Sequence, residues 1–225
     1  MTSTPKRRWF QFSLGRMLLV LTLLCIGPGG YVAYQQQEAR RQDAAVDLLN
    51  ELRGTQAYTR PHWLRKWIDG PEAGYVVGLA ILSRQATDAE LTPVADLSEL
   101  VWLDINDTQA GDASLAHLAG LKKLERLRLD DSRVTDAGMV HLAGLPKLHT
   151  LNLSRTAITD TGLAHLAGLG KMETLNLSRT SITDDSVAVL CGMKNLEMLD
   201  LQKTQVTHKG VAELQKALPG CLIGF

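Results

Sequence analysis

The sequence predicts an α/β solenoid, a stack of strand-plus-helix units, preceded by an N-terminal transmembrane helix. Three observations carry this. From Val76 onward, leucine or a close substitute returns at a step of 24 residues. Inside each step the apolar spacing changes from two to three, the change from strand to helix. Near the start, a basic stretch leads into an apolar run long enough to cross a bilayer. Composition agrees: 45% of the 225 residues are hydrophobic but only 5% aromatic, so the core must be aliphatic. Lys+Arg and Asp+Glu are both 24, so no overall field gathers nucleic acid or acidic substrates.

Residues 1–13 read as a cytoplasmic basic tail containing Lys6, Arg7 and Arg8. Residues 14–34 read as a transmembrane signal-anchor, with Arg16 near its start and no charge from Met17 to Ile26. Trp9, Phe10 and Phe12 flank one end and Tyr31 and Tyr34 the other, as interfacial rings do. As a helix the run covers about 31 Å, close to the hydrocarbon thickness. Positive charge before it places the N-terminus in the cytoplasm and exports the repeats, with one pass through the inner (cytoplasmic) membrane. Gly27-Pro28-Gly29-Gly30 breaks helix propensity inside the run. A cleaved signal peptide is therefore the rival reading, with Gly27 and Gly29 as the small residues of the cut and a secreted or periplasmic product. The Tyr31/Tyr34 girdle favours the anchor, because it serves no purpose in a discarded peptide.

Residues 35–75 read as a juxtamembrane helix and N-terminal cap. Ala39, Val46, Leu49 and Leu52 form the apolar positions of an amphipathic helix over Gln35–Arg53, ended by Gly54 and Thr55. Pro61 opens a second short helix with Trp63, Trp67 and Ile68 on one face. It reads as the cap that an open solenoid end requires, or alternatively as a basic aromatic helix lying on the membrane.

Residues 76–225 hold six units, beginning at Val76, Leu100, Leu124, Leu148, Met172 and Leu196. In the fourth, Leu151 and Leu153 alternate with Thr150, Asn152 and Ser154, which makes a strand with one apolar face. Leu163, Leu166 and Leu169 then make a helical stripe. Thr159-Asp160 supplies side-chain oxygens to the unpaired amides at the helix start. Thr156 leaves the strand with a hydroxyl that can bond nearby backbone. A single unit cannot bury its leucines, so the units stack, pairing strands about 4.8 Å apart in a parallel sheet. Bulkier helices outside bend the stack into an arc, sheet on the concave face and helices on the convex. Leu218–Phe225 reads as a final edge strand that closes the core, punctuated by Pro219, with nothing further required.

This pattern resembles the leucine-rich repeats, specifically the strand-plus-helix type of ribonuclease-inhibitor-like and F-box-associated families. Those often have Cys or Asn where this chain has Thr108, Ser132, Thr156, Thr180 and Thr204. The resemblance covers Val76 to Phe225 and implies a right-handed horseshoe arc that binds other macromolecules. No F-box precedes the repeats, so an adaptor role in ubiquitin transfer does not follow. The whole layout is also similar to bacterial membrane-anchored leucine-rich-repeat proteins: a basic start, an anchor, a Trp-Leu-Arg-Lys helix, then the repeats.

No motif for covalent, metal or phosphate chemistry occurs. No cofactor, metal or catalytic residue is expected. His117, His141 and His165 share one helical position, but outer helices about 8–10 Å apart hold their rings too far apart for one ion. The Thr-Asp pairs at 87–88, 135–136, 159–160 and 183–184 read as a series of helix caps. His208 replaces the last Asp, and Thr207 still caps. Cys191 and Cys221 read as small apolar side chains, or as a bridge outside the cytosol. An enzyme would need Asp104 and Asp130 as its acid–base pair.

Binding is expected on the concave face, where Trp102, Asp104, Arg126, Arg128, Asp130, Asn152, Asn176, Met198 and Asp200 stand out. Trp102 beside Arg126 and Arg128 has hot-spot chemistry, or alternatively packs under the N-terminal cap. Asn152 and Asn176 form a neutral ladder. The next position reads Asp107, Asp131, Arg155, Arg179, Lys203, so its sign reverses along the arc. A mixed-charge groove suits a protein or peptide partner. Nucleic acid would require a basic stripe of one sign. The alternative function is a structural or self-assembling envelope spacer, with the oligomeric state left open.

Overall fold

The computed structural model describes residue 34 and residues 37–51, 55–59 and 76–225. The predicted anchor, apart from Tyr34, and the predicted helix after Pro61 lie outside the described residues. Among the described residues, no helix is long and apolar enough to cross a membrane.

A helix, α1, spans 37–50. Among the described residues, eight strands form one sheet in chain order. They are β1 (Thr55–Thr59), β2 (Val76–Ile81), β3 (Trp102–Asp104), β4 (Arg126–Arg128), β5 (Thr150–Asn152), β6 (Thr174–Asn176), β7 (Met198–Asp200) and β8 (Leu222–Gly224). From β2 to β8 every pairing is parallel, and each residue faces the one 24 positions later, as Leu127 faces Leu151. Outside the sheet lie α2 (Asp112–Leu118), α3 (Asp136–Leu142), α4 (Asp160–His165), α5 (Val187–Gly192) and α6 (His208–Ala217). The first unit departs from the expected helix: its outer segment, Thr92–Asp96, is a 3-10 turn with Pro at its start, where the missing N–H is tolerated.

Leu103, Leu127, Leu151, Leu175 and Leu199 of successive strands are at most 1% exposed, as are Leu142, Leu166, Leu190 and Leu214 of the outer layer. Each fully buried leucine contributes about 1.5–3 kcal/mol. This shared spine is why the step of 24 is enforced: a slip of one residue would turn every leucine to the open face.

Each unit leaves its strand through the same device. Thr108, Ser132, Thr156, Thr180 and Thr204 donate their hydroxyls to the carbonyl three residues back at 2.6–2.8 Å. The residue before each, from Asp107 to Lys203, takes a left-handed φ of 53–60°. That conformation is uncommon for a residue with a side chain. It repeats because it aims the amide at the next unit: Asp107, Asp131, Arg155 and Arg179 each donate N–H to a carbonyl there at 2.9–3.0 Å.

The N-terminal cap differs from expectation. Thr55 does not end a helix; it begins β1, which pairs antiparallel with β2. The helix α1 buries Ala39, Gln42, Ala45 and Leu49, while Val46 is only half-buried. The two alanines allow close approach, and Gln42 Nε2 donates to Ser98 Oγ (3.3 Å), which donates to Glu38 Oε1 (2.7 Å). The buried Gln42 side chain is thus held through its amide nitrogen, while its Oε1 has no partner among the described residues.

The Thr-Asp pairs divide their work. Thr135, Thr159, Thr183 and Thr207 do cap the segments they precede, each accepting an amide of the first turn. The aspartates do not. Asp112, Asp136, Asp160 and Asp184 instead accept from both the N–H and the hydroxyl of the next unit's threonine. The first, Asp88, accepts from the Gly111 and Ser114 amides and the Ser114 hydroxyl. A second ladder therefore runs along the stack beside the sheet. Glycine is required next to it: a Cβ on Gly138 would lie 2.5 Å from Asp112 Oδ1, and Gly162 and Gly210 are crowded by Asp136 and Asp184 in the same way. Where serine replaces glycine, Ser114 and Ser186, its hydroxyl donates to that aspartate.

Cys191 and Cys221 are free thiols rather than a bridge. Cys221 is packed into the core, and burial pushes its thiol up.

Candidate binding face

The strands turn alternate residues outward, producing two rows across the open face of the sheet. One reads Trp102, Arg126, Thr150, Thr174, Met198 and Leu222; the other reads Asp104, Arg128, Asn152, Asn176, Asp200 and Gly224. All nine sequence-predicted residues lie on this face or, for Asp130, at its rim. What the fold leaves available differs sharply among them.

The second row is largely consumed by structure. Asp104, Asn152, Asn176 and Asp200 each accept the backbone N–H two residues on, at 2.9–3.2 Å. These side chains turn the chain off the strand. Asp104 was expected to be exposed, yet it is only 8% exposed. Arg128 lies beside it, its Nη1 3.2 Å from Asp104 Oδ2 and its Nη2 3.7 Å from Asp130 Oδ1. Asn152 Nδ2 donates to Asp130 Oδ1 at 2.8 Å. Burial, above all, raises the Asp130 carboxyl above its usual range, with Asp104 and Asp107 adding to it and Arg128 opposing. The expected neutral Asn ladder is thus a set of turn-forming side chains, with Asn152 tied to Asp130.

The first row is less committed. Arg126 is exposed, with no ion pair among the described residues. Trp102, for which both an exposed position and packing under the cap were open, is half-buried and in register with Arg126. Met198 is 50% exposed and Leu222, its neighbour on β8, 73%. Leu222 was missed from sequence because the tail was read as closure only; one more step of 24 from Met198 reaches it. The rim position reverses sign as expected, with Arg84 3.8 Å from Asp107 and Arg155 3.8 Å from Asp131.

On the helical side, His117 Nε2 lies 3.5 Å from Thr92 Oγ1. Among the described residues, no group of acidic, His or Cys side chains is arranged to hold a metal.

Comparison with known proteins agrees with this architecture. Residues 122–182 and 146–206 match the leucine rich repeat family model. An internalin (inlF) from Listeria monocytogenes is similar at 27% identity and a TM-score of 0.54, over 62% of this chain and 38% of the internalin. A leucine-rich-repeat protein of Leptospira interrogans aligns at 24% identity and a TM-score of 0.49, over 60% of this chain and 33% of that one. This chain therefore spans well under half the length of either. No protein of curated function matches the sequence. Leucine-rich-repeat proteins generally mediate protein–protein contacts and are typically non-enzymatic scaffolds. The sheet carries the 24-residue unit of the matched residues 122–206 beyond them on both sides.

Proposed function

We propose that the chain is a membrane-anchored binding module that holds a protein or peptide partner against the concave, sheet side of its repeats. The observation that carries this is the first row of the sheet. Arg126 and Met198 stand exposed in one register, and the fold uses neither for internal bonding. Arginine and apolar anchors on a rigid surface are the chemistry of binding hot spots. The mixed signs of the face suit a protein better than a polyanion. The basic tail and apolar run of residues 1–34 support an anchor in the inner membrane, with the repeats exported. The outer helices support the ribonuclease-inhibitor-like subtype of repeat.

Arg128 is a poor place to test this, because it holds Asp104 and Asp130. The informative variant is Arg126→Glu with Met198→Glu. The expected result is loss of partner capture from cell-envelope extract with an unchanged circular-dichroism melt. Equal capture by variant and wild type would remove the claim.

A further inference from the structure

Among the described residues no strand covers the outer edge of β8, and its outward groups fit a second copy of itself. In β7, Leu199 and Leu201 face onward; Leu201 N–H, for example, donates to Gly224 at 2.7 Å. The same parity applies in β8. Leu222 N–H donates back to Glu197 at 2.7 Å, so Leu222 and Gly224 face β7. The Cys221 carbonyl, both Ile223 groups and the Phe225 N–H therefore point away from the sheet. No charge or proline lies in Leu222–Phe225 to blunt this edge, the usual protection of an exposed strand. The surroundings are apolar: Leu222 is 73% exposed, Met198 50% and Phe225 49%, with Phe225 set edge-on to His208.

We infer that β8 pairs antiparallel with β8 of a second copy about a two-fold axis through Ile223, joining two solenoids into one continuous sheet. Under that axis the outward groups satisfy one another. Each Ile223 N–H meets the other Ile223 carbonyl, and each Phe225 N–H meets the other Cys221 carbonyl. This is the hydrogen-bonded register of an antiparallel pair. Side chains match as well. Leu222 of one copy stands opposite Gly224 of the other, so the most exposed apolar side chain meets a position with none. Ile223, partly buried against the core, meets its own counterpart and continues that core. A two-fold interface must be self-complementary, and this edge is. A foreign strand would satisfy the same backbone groups but gains nothing from the Leu222–Gly224 match.

The inference is independent of what binds the sheet face. Its test is analytical ultracentrifugation of the full chain in detergent, with Leu222→Lys and Ile223→Pro. Proline at 223 removes an outward N–H, which an edge strand tolerates, together with a side chain partly buried against the core, so an unchanged circular-dichroism melt is required of this variant. Leu222→Lys alters a side chain already in solvent. The expected result is a wild-type dimer whose dissociation constant rises at least tenfold in both variants. Ile223→Cys should also form an intermolecular disulfide under mild oxidation, since paired Cα atoms there lie about 5.5 Å apart. Leu82→Cys, exposed at the opposite end of the repeats, should not. A monomeric wild type, a dimer unchanged in both variants, or equal cross-linking of the two cysteine variants would overturn the proposal.

Discussion

Asp136 accepts from the amide and the hydroxyl of Thr159 at 2.8 and 2.5 Å, across the boundary between two repeats. The hydroxyl in turn accepts from Thr161 N–H, capping the next helix. One residue pair thus couples the stacking of units to the start of a helix. The last aspartate of the ladder among the described residues, Asp184, reaches Thr207. At the next position His208 stands in place of aspartate, and its ring packs edge-on against Phe225, centroids 4.9 Å apart.

Breaking the ladder should weaken the stack in a pH-dependent way. Burial raises the Asp160 carboxyl, but bonds from the Ser186 hydroxyl and from Thr183 outweigh it and hold it below the usual carboxylate range. A carboxyl lowered in the folded state adds stability above its unfolded value, and that stability is lost as pH falls through the folded value. Asp160→Ala removes its bonds from Thr183 and Ser186 and should cost about 1–2 kcal/mol at neutral pH. The difference from wild type should shrink in acid below the unfolded value. Urea unfolding at the two pH values checks this; a penalty that does not change with pH would show that the carboxylate charge is irrelevant.

Gly162 offers a test of crowding against propensity. In a free helix Gly→Ala gains about 1 kcal/mol. Here the new Cβ meets the Asp136 carboxylate, and overpacking costs about 1–3 kcal/mol. Gly162→Ala should thus lower the melting temperature. Gly162→Ser should lower it less, because a hydroxyl at this position bonds the ladder aspartate, as Ser186 bonds Asp160. Gly168→Ala, with nothing within 4 Å of the new Cβ, should be neutral or stabilising.

Arg179 has φ 59° and an exposed side chain, so substitution there reports on backbone alone. Arg179→Gly should raise stability by up to about 1 kcal/mol. Arg179→Val should lower it by about 1–2 kcal/mol, since a β-branched residue tolerates the left-handed region least. Thermal melts of the two variants should fall on opposite sides of wild type.

Removing Arg128 should destabilise the sheet rather than merely alter its surface. Arg128→Ala leaves Asp104, which is buried, and Asp130 without their cation. A cost of about 1–3 kcal/mol is expected. Arg126→Ala, exposed and without an ion pair among the described residues, should be nearly neutral. Parallel chemical denaturation curves with different midpoints would confirm the contrast.

The stack was legible because burial along a repeat is one-dimensional: leucines at fixed steps suffice to place strand, turn and outer segment. Thr156 was read correctly for a local reason, a hydroxyl three residues from the carbonyl it bonds. Interactions between units were harder. Asp136 and Thr159 are 23 residues apart, and each type is also a good helix cap, so the sequence favours the nearer explanation. Gln42 on the buried face of α1 runs against apolar periodicity because its partner, Ser98, is distant. Of the binding face, the positions were legible and the availability was not. Asp104 and Asn176 look free in sequence because a side chain's bond to its own turn leaves no periodic trace.

Binding on the sheet side, as proposed above, is tested by placing a photoreactive residue at Met198 on the sheet or at Val140 on the helical layer, each about half exposed at 50% and 52%. Illumination in cells should join a partner covalently to the Met198 variant and leave the Val140 variant unmodified. Capture through Val140 with none through Met198 would place the binding surface on the helical layer instead of the sheet.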